Sequence, residues 1–398
     1  MAVQKRRTKA GKTVFIARWR DPSGKEHSKS FAKARDAKEW LGDMERETRK
    51  GRPTGSDVER TTVLDVYNAW LHHRPLRPAS IQQYEFTRDR QLGWLAKWPV
   101  RQVTPEIVTR WNTELRNGRS WWGTPDNGVS ETTAINCLRH LRTAMKWAVE
   151  QEIIPRNPVH VTVKSQAIEP DDIPTMSEAQ KVINGLVVGG VPYTEIKTKG
   201  GEPRTNYLRP DPVLADMLLT AAMTGMRISE LCGLIGAEVD LDAGVIRVRK
   251  QLGKVEPRSR VELKTRASRR DIPIAPELAP VLQRRIANRP GGEYVFLSST
   301  GQAVIHSRAA VKVKRVALHV GAPRVHFHAM RHYFASSLLT DGVPVQDVAR
   351  VMGHSPNVLL STYAHVLSGS QDRITAAISA HVGKDLSPGR PALRAVGE

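Results

Sequence analysis

Residues 14–20 alternate, with Phe15, Ala17 and Trp19 on one side and Ile16, Arg18 and Arg20 on the other. That is the period of a half-buried strand. Asp21-Pro22-Ser23-Gly24 fits a type I turn, with proline at its second position and glycine at its fourth, and a further strand is expected over 26–31. Ala37, Trp40, Leu41 and Met44 then recur at helical spacing, in a helix that Gly51 and Pro53 would end.

From 60 to 158 the pattern is helical throughout. Thr104-Pro105-Glu106 supplies an N-cap, a proline at the first helical position and an acid in the first turn, ahead of an apolar face of Ile107, Val108, Trp111 and Leu115. Another helix follows Ser130, with Leu138, Leu141, Met145 and Ala148 on one stripe and Arg139, Arg142 and Lys146 on another, until Pro155 and Pro158 close it. Such a helix can pack inward and meet phosphates outward, although a plain helical bundle accounts for the pattern as well.

Residues 161–174 lack periodicity and read as a linker. Ser177 with Gln180 gives a capping-box signature that starts the next domain. Residues 189–212, rich in glycine, proline and charge, suggest a long surface loop, and helical patterning resumes at Val213. After Leu386 a loose tail is expected. The resulting layout is 1–56, 57–160, a linker at 161–174, 175–385, and a tail at 386–398. It is multidomain and mainly α with small β-sheets, in keeping with the two or three domains expected of 398 residues.

Lys and Arg number 61 against 40 Asp and Glu, a formal net charge of +21. That excess favours a polyanion, either nucleic acid or an anionic membrane surface. No apolar run is long enough to span a bilayer, and Lys5, Arg6 and Arg7 lead into Gly11 and Lys12 rather than into an apolar signal core. A cytoplasmic, nucleic-acid-binding protein is expected, with no membrane partner. Cys137 and Cys232 fit packing thiols. Residues 1–52 carry 16 Lys and Arg against 7 Asp and Glu, and a basic β-ribbon displaying Arg18 and Arg20 can enter a DNA major groove. A solvated basic surface remains the alternative.

Four stretches of the last domain carry candidate chemistry. In Thr224-Gly225-Met226-Arg227-Ile228-Ser229-Glu230-Leu231, an arginine and a glutamate interrupt an apolar helical run, a pairing that is usually structural. Two strands, Val245–Arg249 and Asp271–Ile274, flank a polar connection, and residues 247–270 hold ten Lys and Arg with two Glu. Lys264 lies late in this basic hairpin, where it could reach a phosphate or could be one surface lysine among many. In His326-Phe327-His328-Ala329-Met330-Arg331-His332, His328 and His332 have metal-ligand spacing. No glutamate stands between them, however, and an arginine is a poor neighbour for a cation, so no metal is expected. Finally, Gly353 can end a helix and Ser355-Pro356 can start the next, carrying Tyr363 two turns along. That tyrosine could simply be core.

Taken in order, these stretches closely resemble the catalytic domain of the tyrosine recombinases. The family pattern falls on Arg227, Lys264, His328 with Arg331, His354 and Tyr363, with Met352 in place of the usual leucine, a volume-conserving change. The helical segment looks like the family's core-site-binding domain. Residues 1–56 look like the arm-type DNA-binding module, a three-stranded sheet plus helix, and the last domain like a mixed α+β catalytic domain.

The resemblance implies a metal-free, cofactor-free reaction. Tyr363 would attack a phosphodiester, and Arg227 and Arg331 would hold its non-bridging oxygens. His328 would take the phenolic proton, Lys264 would protonate the departing 5′ oxygen, and His354 would bond the phosphate or orient the nucleophile, with Glu230 supporting Arg227. Implied partners are double-stranded attachment sites of core and arm type, a homotetramer on DNA, and, to be considered, a DNA-bending host factor and an excision factor. Ile374, Ala377 and Ile378 form a short apolar stripe suited to docking on a neighbouring protomer. A type IB topoisomerase shares this chemistry but reseals the same strand. A chromosome-dimer resolvase normally lacks the arm module, and a regulator that has lost catalysis would not keep all six positions filled. Integration and excision of a mobile element is the expected activity.

Overall fold

The computed structural model describes residues 2–7, 12–20, 26–49, 60–122, 127–161, 170–195 and 204–368, together with 375 and 378. The turn expected at 21–24, the helix stop at Gly51 and Pro53 and the tail after Leu386 lie outside them. The chain forms two compact units, Met1–Lys164 and Ser165–Glu398.

In the first unit, strands β1 (Ala2–Arg7), β2 (Thr13–Arg20) and β3 (Glu26–Phe31) form an antiparallel sheet in that order. β1 offers almost no alternation of its own and takes its register from β2, Arg6 facing Val14. Ala17 pairs with Lys29 and Trp19 with His27. Ala17 and Trp19 are buried while Arg18 and Arg20 are exposed, so a one-residue slip would exchange the two faces. Helix α1 (Ala34–Arg49) follows, with Ala37 buried and Trp40 5.8 Å from the Phe31 ring.

Four further helices are α2 (Val63–His72), α3 (Pro78–Phe86), α4 (Pro105–Asn117) and α5 (Glu131–Glu150). Thr104 and Ser130 cap α4 and α5 through their side chains, as their sequences predict. Tyr67, Trp70, Trp111 and Leu141 are fully buried in one core, and the Trp111 indole donates to the Gln91 carbonyl at 3.0 Å. Truncating such a side chain costs about 3–5 kcal/mol.

The second unit opens with α6 (Met176–Val188). Its cap is Thr175 with Glu178, not Ser177 with Gln180. Both pairs fit the motif, but Thr175 alone has extended backbone (ψ 161°), and Glu178 also binds Arg324 at 2.9 Å. The segment expected as a loop is instead spanned by a hairpin of β4 (Pro192–Glu195) and β5 (Arg204–Tyr207). Main-chain bonds between Leu208 and both Gly190 and Val191 extend its ladder. These strands are short and polar on both faces, so alternation does not betray them.

Next come α7 (Pro212–Thr224), α8 (Ile228–Gly233), β6 (Val239–Asp240), β7 (Val245–Val248), β8 (Lys250–Leu252), β9 (Arg260–Glu262) and β10 (Arg270–Pro273). The sheet order is β10-β7-β6, so the two strands read from sequence do pair. The connection between them holds its own β8–β9 hairpin. Helices α9 (Ala279–Ile286), α10 (His306–His319), α11 (Phe327–Thr340), α12 (Val345–Met352) and α13 (Pro356–Ser368) complete the unit.

Leu218, Ile246, Phe296, Val313 and Met330 belong to its main core. A second, smaller cluster of Ala335, Leu339, Val348, Met352 and Leu359 encloses Tyr363. No described helix is long and apolar enough to cross a membrane.

Candidate active site

The run from Thr224 to Leu231 is two helices rather than one. Gly225 ends α7 in the left-handed conformation (φ 62°), and a Cβ there would lie 2.5 Å from the Phe334 ring and 2.8 Å from Met352 Sδ. The break leaves Arg227 as the extended N-cap of α8, its side chain one-third exposed. One guanidinium nitrogen donates to Glu230 at 2.8 Å and another to the Gly353 carbonyl at 3.2 Å. Gly353 is itself left-handed (φ 64°) at the end of α12, with Arg270 Cδ 3.2 Å from where a Cβ would stand.

Glu230, nearly inaccessible at 1% exposure, supports more than Arg227. It also accepts two bonds from the buried guanidinium of Arg270, at 2.8 and 3.2 Å. Burial would raise its carboxyl, but Arg270 and then Arg227 hold it down at about 2. Arg270 further donates to the carbonyls of Val351 (2.5 Å) and Ser268 (3.0 Å), tying β10 to α12. Arg270 escapes a reading from sequence; its only signal is a charged residue at an inward position of an alternating strand.

Arg331, on α11, is 1% exposed. It donates to the carbonyls of Gly225 and Met352, the latter at 2.6 Å, and lies 2.8 Å from His354 Nε2. Burial and the charge of Arg227 push it down to about 9, so it stays cationic at neutral pH. Burial and Arg331 push His354 down to about 4. A neutral His354 accepting from Arg331 at Nε2 carries its proton on Nδ1, an atom buried without a hydrogen-bond partner among the described residues.

Tyr363 is fully buried, at a kink in α13 (φ −116°, ψ 23°). Its hydroxyl lies 2.6 Å from His332 Nδ1. Burial raises the phenol to about 12 against the pull of Arg331, and burial lowers His332 to about 4. The phenol's partner is thus His332 and not His328, the base the resemblance implied. His328 is exposed, its ring edge-on to His332 with centroids 4.4 Å apart. In the sequence His332 stood as a potential metal ligand and as the last residue of the family's His-x-x-Arg-His pattern, with no catalytic role assigned; among the described residues no group of three or more His, Cys, Asp or Glu could hold a metal ion.

Arg227, Arg331 and His354 therefore converge on one spot around Gly353, and Tyr363 lies within the field of Arg331. Lys264 is exposed just after β9. Of the expected DNA contacts, Arg18 and Arg20 are exposed and share Glu26 as ion-pair partner at 3.5 and 3.7 Å. Arg139, Arg142 and Lys146 are exposed along α5, with Lys146 3.7 Å from Glu150. Ile374 and Ala377 lie outside the described residues; Ile378 is 55% exposed.

Residues 210–369 match the model of the phage integrase family. The prophage phiRv2 integrase of Mycobacterium tuberculosis is 25% identical over 91% of this chain and 92% of its own length. Tyrosine recombinase XerC of Xylella fastidiosa is 26% identical over 76% of this chain and 92% of its own. In fold, the Tn1549 transposon integrase in complex with transposon right end DNA superposes with a TM-score of 0.61 at 24% identity, over 81% of this chain and 100% of that one. A lambda integrase tetramer bound to a Holliday junction gives 0.50 at 15% identity, over 89% and 94%. Residues 210–369 thus carry a phage integrase family domain, and the chain as a whole is similar to tyrosine recombinases along most of their length.

Proposed function

We propose that this protein is a site-specific DNA recombinase that integrates or excises a mobile element through a 3′-phosphotyrosine at Tyr363. The observation that carries the reading is the convergence of Arg227, Arg331 and His354 on Gly353, with the Tyr363 phenol inside the field of Arg331. Two fixed guanidinium forks suit the charge that builds on the non-bridging oxygens as phosphorus becomes five-coordinate. His354 supports this with an Nδ1 proton that lacks an acceptor among the described residues and is available to bond the same phosphate once the site opens.

In the reaction the phenolic oxygen bonds phosphorus, the phosphorus–5′-oxygen bond breaks, and Lys264 protonates the leaving oxygen. One phosphodiester replaces another, so no nucleotide hydrolysis is needed to reseal the strand. Attack by the 5′ hydroxyl of a second duplex exchanges strands. Arg331 and Tyr363 are both covered in this state, so the site must open before a phosphate can reach them.

Residues 1–56 form the arm-binding module in this reading, with Arg18 and Arg20 toward DNA. Residues 57–160 form the core-site clamp, with Arg139, Arg142 and Lys146 toward phosphates, and 175–385 the catalytic domain. The active species is a tetramer on two DNA sites, the assembly seen for lambda integrase on a Holliday junction. The prophage integrase aligns with 91% of this chain against 76% for the XerC protein, which favours mobile-element integration over a resolvase role. Incubation with two labelled DNA fragments carrying the element's attachment sites tests this. Recombinant junctions are expected, whereas relaxation of supercoils without exchange would assign a topoisomerase.

A further inference from the structure

We propose that His332 is the base that takes the phenolic proton of Tyr363, leaving His328 to meet the DNA phosphate. The inference rests on Tyr363 being the nucleophile and adds a residue to that chemistry.

Three observations converge on it. His332 Nδ1 is 2.6 Å from the phenolic oxygen, and a neutral ring protonated on Nε2 accepts there. His354, a second neutral imidazole near the site, has its Nε2 engaged by Arg331. His328 faces solvent rather than the phenol's hydrogen bond, with its ring packed on the edge of His332. Burial first, then the neighbouring His328 and Arg331, push His332 down to about 4, so at neutral pH it is unprotonated and able to receive a proton.

The Tyr363 O–H proton moves to His332 Nδ1 as the oxygen bonds phosphorus, while Lys264 gives a proton to the departing 5′ oxygen. In rejoining, imidazolium at His332 returns its proton to the leaving phenolate and the neutral Lys264 amine takes one from the attacking hydroxyl. Both groups are thereby restored.

The test is single-turnover formation of the covalent adduct on a nicked suicide substrate, compared with the same DNA carrying a 5′-bridging phosphorothiolate. A thiolate leaves without protonation, so the substitution relieves a missing acid but not a missing base. His332→Asn keeps an acceptor oxygen near the Nδ1 position and cannot take the proton. It is expected to slow cleavage about 100-fold or more on both substrates, while Lys264→Ala recovers on the phosphorothiolate. Added imidazole should restore part of the rate of His332→Gly, an effect that a packing role would not produce.

Cleavage by His332→Asn within about threefold of wild type, a span well inside one factor of ten in barrier terms, overturns the proposal. Recovery of that variant on the phosphorothiolate overturns it too. Tyr363→Phe is the separate arm that decides the underlying reading: an adduct surviving there removes the nucleophile, whatever His332 does.

Discussion

Glu230 and Arg270 form a buried, two-pronged ion pair 40 residues apart in sequence, and the same carboxylate orients Arg227. The part-exposed Arg227 is thus held, through Glu230, by an arginine that is buried. Removing one member of such a pair leaves a charge without compensation in the interior.

Arg270→Ala should therefore destabilise the protein by about 3–5 kcal/mol, read as a shift in the denaturation midpoint. Glu230→Gln should be similarly harmful. A loss below about 1 kcal/mol, the scale of an exposed pair, would show that the pair contributes little.

Gly225→Ala forces a methyl into the Phe334 ring and Met352 at a positive φ, a strain worth about 1–3 kcal/mol. The Gly225 carbonyl also accepts from Arg331, so adduct formation should fall as well. Wild-type cleavage with an unchanged Tm would contradict both expectations.

Much of this was legible in the sequence and some was not, for identifiable reasons. Thr104 and Ser130 announce their helices because a cap and its helix are neighbours in the chain. The strands of β7 and β10 alternate because only one face of each is buried. By contrast β8 and β9 span three residues each, too few for a period to emerge. Arg270 and His332 have partners 40 and 31 residues away, and no local pattern encodes such a contact. The helix break before Arg227 was hidden because Gly225 and Met226 sit in an apolar run that reads as continuous.

Stability should also depend on mildly acidic pH. His332 and His354 are held at about 4 in the fold against an ordinary value of 6.5. Between those limits the unfolded chain binds protons that the folded one refuses, so stability rises with pH through the window and is complete above it. Glu230, at about 2, stays charged across the same range. Thermal scans should give a Tm several degrees lower at pH 5 than at pH 7.5, with a smaller drop for the double variant His332→Gln, His354→Gln. Equal drops would place the acid sensitivity elsewhere.

Arg139, Arg142 and Lys146 lie exposed on α5. Replacing all three with alanine should weaken DNA binding with little change in Tm, and should reduce the slope of log K against log salt by roughly 2–3. An unaltered slope in a fluorescence anisotropy titration would remove these residues from the DNA interface.

The central claim is that Tyr363 forms the bond to DNA, and the most direct measurement traps that bond. Wild-type protein incubated in EDTA with a nicked suicide substrate bearing its core site should yield a covalent complex stable to denaturant, mapping by peptide mass to Tyr363. Tyr363→Phe should bind the same DNA and yield none. An adduct that survives that substitution, or maps to another residue, would contradict the account.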